Sequence, residues 1–367
     1  MRKSPLVSLA ATLLLLASCG GGGGSGGGGN TNSVITNPNP SGGGPGAGST
    51  AADTTTNNAR LADLNGLRAQ CGGTALMTVS SLAPLITSAV KHAGYQAQYD
   101  VKYGGASLHH DEPDTALSLY VNTQFFVRIE AANGGADIAN WRSYDEDIAS
   151  QAGTPAMDSL WNTVYHRLPM MRTQVTSVGY GDQALARTDY PAAGIPATDP
   201  WGNVPAGNAY ATLDFTGYAN PAIALSFWPG NGTSGVLKAF DVTTESPRPP
   251  SGGLTTVGPP LHMVAPTLVD FSTIAVTLTT GGSAIHIPVQ LIVGGANATL
   301  PTVSGDASAA NTAVDTTDFN PGEIFILPLA AGNAGLAPST TYSWTVNAVD
   351  SSSTHFNVGP VTFTTGP

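Results

Sequence analysis

Trp161–Gly181, WNTVYHRLPMMRTQVTSVGYG, is the stretch on which the fold of this chain turns. Trp161, His166-Arg167, the Leu168–Met171 segment and Val178-Gly179-Tyr180-Gly181 predict a short helix, an ordered turn and a Gly-broken strand, in that order. The same stretch gives two upstream histidine clusters a third partner. His92, His109, His110 and His166 are four of the seven histidines in the chain. Imidazole binds metals and moves protons near neutral pH, so this grouping marks a candidate site without defining its chemistry.

Outward to the N-terminus, Arg2 and Lys3 precede an apolar run from Pro5 to Ala17 that ends in Leu16-Ala17-Ser18-Cys19. The run has the form of a secretory signal. It is too short for a bilayer core of ~30 Å, which takes about 20 residues. Leu16–Cys19 resembles a bacterial lipobox, in which the cysteine becomes the lipidated first residue. The plainer alternative is an ordinary signal peptide with a chance cysteine. Residues 20–56 are nearly all Gly, Ser, Asn, Pro and Thr, a composition with little to bury, and are expected to be a disordered tether.

The chain has 367 residues, a net charge of −11, 45 Gly and 27 Pro, with 10% charged residues. The acidic balance gives no support to a nucleic-acid partner. Apart from Cys19 there is one cysteine, Cys71, so no intrachain disulfide is expected in the mature protein. Cys71 reads as a small, partly buried side chain at a helix end rather than a reactive thiol.

Residues 57–220 read as α+β. Leu61, Leu64 and Leu67 have helical spacing, and Gly72-Gly73 stops the helix. A second helix is expected over Ser80–Asp100 with Ser80 or Ser81 as N-cap. Tyr144–Gln151 and Pro155–Tyr165 suggest two short helices, and Val175–Gly181 and Tyr210–Phe215 two strands. Residues 221–260, rich in Pro and Gly, read as an extended connector. Residues 261–367 are short β-branched and aromatic runs suited to an all-β sandwich. Tyr342-Ser343-Trp344-Thr345-Val346 alternates cleanly, entered by Leu336–Thr341.

Several motifs stand in order: Leu64-Asn65-Gly66-Leu67-Arg68 with Gly72-Gly73; Ala89-Val90-Lys91-His92-Ala93 with Tyr95; His110-Asp111-Glu112; Tyr144–Ala149; and Trp161, His166-Arg167, Val178–Gly181. Together they resemble the CAP superfamily (cysteine-rich secretory, antigen 5 and pathogenesis-related proteins), in its bacterial SCP-like branch. The resemblance covers about 57–214. It implies an α-β-α sandwich in which His110, His166 and Glu146 converge on a cavity, with His92 and Glu112 as weaker candidates. Asp145 stands where the family has glycine, and the family's second cavity glutamate and cysteines have no match. The Leu336–Tyr342 entry and the Val361–Thr365 terminal strand resemble fibronectin-type and Ig-like modules.

Two histidines and a carboxylate can hold a divalent metal such as zinc, with water completing the shell. Against this, His166 and Arg167 have a structural reading, the guanidinium pairing with Asp158 or Asp145. His92 suits a helix core and His109 the solvent. No Gly-x-Ser-x-Gly or His-Glu-x-x-His pattern is present. The signal segment and the lipobox resemblance therefore favour an extracytoplasmic lipoprotein anchored through Cys19 at an outer membrane or cell surface. The CAP resemblance implies that it binds a lipid or peptide-like ligand, or a partner. The competing readings are a metal-dependent hydrolase using His110, His166 and Glu146, with Glu146 as candidate base, and a structural or adhesion protein with a vestigial cavity.

Overall fold

A computed structural model of the chain describes residues 54–73, 76, 78–103, 108–138, 143–150, 153–184, 209–217, 225–281 and 285–367. Cys19, the signal segment and residues 20–53 lie outside the described residues. The protein is mixed α+β.

The first half runs α1 (Thr54–Ala69), β1 (Gly72–Gly73), β2 (Ser80–Ser81), α2 (Ala83–Tyr103), α3 (Phe125–Ala132), β3 (Ser143–Ala149), α4 (Thr154–Trp161), α5 (Arg167–Met171), β4 (Val175–Ala184) and β5 (Ala209–Gly217). Four strands form one sheet in the order β2-β4-β5-β3, antiparallel apart from the parallel β2–β4 pair. Gly179 and Gly181 let α2 lie directly on β4. A Cβ at Gly179 would stand 2.1 Å from the Leu85 carbonyl carbon, and one at Gly181 2.2 Å from the Val90 nitrogen. The strand's alternation then turns Val178 and Tyr180 to the other face, where they join Leu64, Leu67, Met157 and Trp161 in the core. Leu85 and Ile129, from α2 and α3, form a separate cluster with Ile138 and Tyr144. Helices thus cover both faces of the sheet.

Several sequence expectations change here. Thr54–Thr56, placed in the tether, begin α1. Ser80-Ser81 do not cap a helix; they pair with Ser177 and Val178 at the sheet edge, and α2 starts at Ala83. Tyr144–Gln151 reads as a helix in sequence, yet Ser143–Ala149 is a strand paired along its length with β5. Its local signal is weak, and ladder pairing inside a buried sheet overrides such preferences.

The second half comprises β6 (Ser226–Trp228), β7 (Thr233–Val236), β8 (Phe240–Asp241), β9 (Thr256–Val257), β10 (Leu261–Val264), β11 (Phe271–Thr280), β12 (Val289–Gly294), β13 (Thr302–Gly305), β14 (Ala307–Asp315), β15 (Glu323–Pro328), β16 (Thr341–Asp350) and β17 (His355–Thr365). They build a sheet ordered β1-β6-β10-β15-β12-β14 and another ordered β13-β11-β16-β17-β7. Tyr342, Trp344, Val346 and Ala348 of β16 are buried at every second position, sharing one core with Leu261, Met263, Leu291, Ile324 and Ile326. Full burial of such a side chain contributes about 1.5–3 kcal/mol. The Tyr342 hydroxyl accepts from the Ala337 N–H at 2.8 Å, fixing the turn into β16.

The span 221–260 is not an extended connector over its described part. β6 lies in one sheet and β7 in the other, while β1 from the first half pairs with β6. Phe240, Val242 and Val257 pack with Val164 and Leu168 on one side and Ile292, Phe325 and Leu327 on the other. The two halves therefore share cores rather than meeting through a linker.

Candidate functional site

α2, the 108–122 loop, α3 and β3 each bring a polar group to one buried cluster. His92, on the sheet-facing stripe of α2, has Nδ1 3.1 Å from Glu112 Oε1 and Nε2 3.0 Å from the His109 carbonyl oxygen. Glu112 Oε2 accepts the N–H groups of Val121 (2.6 Å) and Asn122 (3.0 Å), which pins the loop. Arg128 of α3 donates through Nη2 to Glu146 Oε2 (2.6 Å) and to the His110 carbonyl (2.8 Å), and through Nη1 to the Asn122 carbonyl (3.1 Å). His110 Nδ1 lies 3.0 Å from Glu146 Oε1, and His92 Nε2 is 3.8 Å from the same oxygen. The side chains of His92, Glu112, Arg128 and Glu146 are at most 1% exposed, whereas His110 is 23% exposed. The cluster meets solvent through His110.

Burial pushes the Glu146 carboxyl up, but Arg128, His92 and His110 together hold it well below the usual carboxylate range. Asp214 stands directly opposite Glu146 in the β3–β5 ladder and is fully buried. Its burial, and then repulsion from Glu146, pushes that carboxyl well above its ordinary value. The environment thus pushes the neighbouring acids in opposite directions, favouring the ionised form of Glu146 and the neutral form of Asp214, which is the pattern that separates acid from base roles in polar sites.

The structure brings His110 and Glu146 together and places His92 and Glu112 beside them. His92 is a buried member of this polar cluster rather than an apolar core residue. His109 is 25% exposed on its side chain and sets its ring edge against Tyr99. His166 is placed elsewhere. Its Nδ1 lies 3.3 Å from Glu245 Oε1 and 3.2 Å from Thr163 Oγ1. Glu245, just after a 3-10 turn at Val242–Thr244, also accepts the N–H groups of Val164, Tyr165 and His166. A carboxylate from the second half has taken the turn that carries His166. Arg167 pairs with neither Asp158 nor Asp145; it is Arg172 that bridges Asp145 and Glu323, both at 2.9 Å.

A zinc ion does not fit the donors present. One Glu146 oxygen serves His110 and the other a guanidinium, so the carboxylate is already neutralised by a fixed cation. Among the described residues no three His, Cys, Asp or Glu side chains are grouped as metal ligands. Cys71 follows α1, and burial pushes its thiol up to about 12, consistent with an inert side chain.

Arg128, Asp214 and Glu245 were not singled out from sequence. A charged residue interrupting an apolar run, as in Phe125-Phe126-Val127-Arg128-Ile129 and Leu213-Asp214-Phe215, is the signal that marks the first two. No family model and no curated protein matches this chain.

Proposed function

We propose that the protein is an extracytoplasmic, lipid-anchored CAP-type protein with a C-terminal Ig-like sandwich, and that it works by binding a lipid or peptide-like ligand at the mouth marked by His110. The observation that carries this is the buried His92–Glu112–Arg128–Glu146 network, in which Glu146 meets the partly exposed His110. A fixed set of charges behind one accessible imidazole is suited to orienting a polar head group or a peptide bond at little cost in reorganisation. Helices on both faces of a four-stranded sheet, with His92 on α2, agree with the α-β-α sandwich that the resemblance implies. The Tyr342–Ala337 hydrogen bond agrees with an Ig-like corner. The departure of His166 to Glu245 and the presence of Arg128 weigh against the metal-dependent hydrolase.

The test is binding of a fluorescent long-chain fatty acid and of a peptide array by the full chain and by His110→Ala. Ligand affinity is expected to fall at least tenfold in the variant while its melting temperature stays within a few degrees of the parent. Equal affinity in both proteins removes His110 from the binding site.

A further inference from the structure

Among the described residues, Arg167 enters the boundary between the two halves with no carboxylate in hydrogen-bonding contact. Its Nε donates to the Trp161 carbonyl and its Nη1 to the Pro260 carbonyl. The guanidinium carbon lies 4.1 Å from the centroid of the Trp228 ring and 5.7 Å from that of Trp161. His262 of β10 faces Trp228 across one ladder and Phe325 across the other, and stacks on Phe325 with centroids 3.9 Å apart. Phe325 in turn stands 5.8 Å from the guanidinium. Trp161, Arg167, Trp228 and His262 are thus neighbours, each more than nine-tenths buried.

Each of the four keeps polar atoms that are buried and have no described hydrogen-bond partner: Arg167 Nη2, the Nε1 of both tryptophans, and both ring nitrogens of His262. The acids of this boundary are engaged elsewhere, Glu245 on the 164–166 turn and Glu323 and Asp145 on Arg172. None of the described ion pairs includes Arg167. Burial lowers Arg167 to about 9, which leaves it charged near neutrality, and keeps His262 neutral, with Arg167 and Arg172 adding to the effect.

Indole and guanidinium groups donate only, and a neutral imidazole offers one donor and one acceptor. The cluster therefore has donors in excess. A water molecule accepts two hydrogen bonds and must place two of its own, for which these four side chains offer one acceptor nitrogen. An anion accepts from every donor and also compensates a buried charge that Glu245 acts on only at a distance, without a direct ion pair. The burial of all four side chains favours a monatomic ion over phosphate or an organic carboxylate.

We propose that Trp161, Arg167, Trp228 and His262 form a buried site for a small monovalent anion such as chloride, which clamps the His166-Arg167 turn to the β6–β10 face of the second half. The test uses the full chain in sodium gluconate, chloride or bromide at equal ionic strength. Halide is expected to raise the melting temperature saturably by several degrees. Crystals grown in bromide are expected to show an anomalous bromine peak against Arg167 Nη2. Trp228→Phe keeps the ring under the guanidinium but removes one N–H, so it should raise the halide concentration for half-effect severalfold.

Equal melting temperatures in the three salts overturn the site, and so does a bromine peak unaccompanied by a thermal response, which is binding at crystal concentration only. A halide effect that survives unchanged in both Trp228→Phe and His262→Phe places the ion elsewhere and also overturns it. If either variant fails to fold, the wild-type bromide map decides. A water molecule in place of bromine against Arg167 Nη2 counts against the anion.

Discussion

Arg128 Nη2 lies 2.6 Å from Glu146 Oε2, and the same nitrogen holds the His110 carbonyl at 2.8 Å. One guanidinium thus fixes both the carboxylate on β3 and the loop that presents the exposed histidine. Helix α3 matters to the site through this one side chain.

Arg128→Met leaves Glu146 and Glu112 as buried carboxylates without their cation. A cost of about 3–5 kcal/mol in urea unfolding is expected, as for removal of one partner of a buried pair. Arg128→Lys keeps the charge but not the two-nitrogen fork, so its cost should be smaller. A loss below about 1 kcal/mol in the methionine variant would show that the network does not depend on Arg128.

Glu146 and Asp214 should give opposite pH dependences. The folded pKa of Glu146 is depressed, so its contribution is full above its ordinary value of 4.5 and is lost as the pH falls towards the folded value. The folded pKa of Asp214 is raised, so its contribution is full below 3.8 and is lost as the pH climbs towards the folded value. Asp214→Asn, which imitates the protonated acid, is therefore expected to raise the melting temperature at pH 7, with the gain fading as the pH approaches 3.8. Equal destabilisation at both pH values would mean that the Asp214 pKa is not raised by folding.

Glu245 and His166 separate the turn from the site. Glu245→Ala strips three backbone N–H groups of a charged acceptor and should cost about 2–3 kcal/mol, with Glu245→Gln costing less. His166→Ala removes a side chain whose partner is already occupied by those N–H groups. It should cost less than about 1 kcal/mol and leave ligand binding at His110 intact. If His166→Ala lowers binding as much as His110→Ala, the two histidines act at one site after all.

Limited proteolysis should not separate the halves by cutting within residues 225–260. Strands β6 and β7 lie in opposite sheets, and Phe240, Val242 and Val257 are buried in a core shared by both halves. Mass spectrometry of early fragments checks this. Rapid release of a stable piece starting near Leu261 would show that the shared cores open easily.

The α+β character, the helical spacing of Leu61, Leu64 and Leu67, the β4 and β5 strands, and the alternation in β16 were all legible in sequence. Each follows from a local period, 3.6 or 2 residues, that burial imposes on the side chains. Of the site, His110 and Glu146 were named together only as what the family resemblance implies, with His166, which the structure places elsewhere. Strand β14, rich in Ala, Ser, Asn and Thr, and strands β7–β9 among prolines and glycines gave no local signal, because pairing partners far along the chain create them.

By itself, then, the sequence determined which segments have a buried face and which polar residues stand apart from those faces. Tertiary structure alone decided what those polar residues meet. Arg128 reaches Glu146, and Glu245 reaches the turn before Arg167, across separations of 18 and about 80 residues. A charge in low dielectric must find a partner in space, and the chain distance to that partner carries no period that a sequence could display.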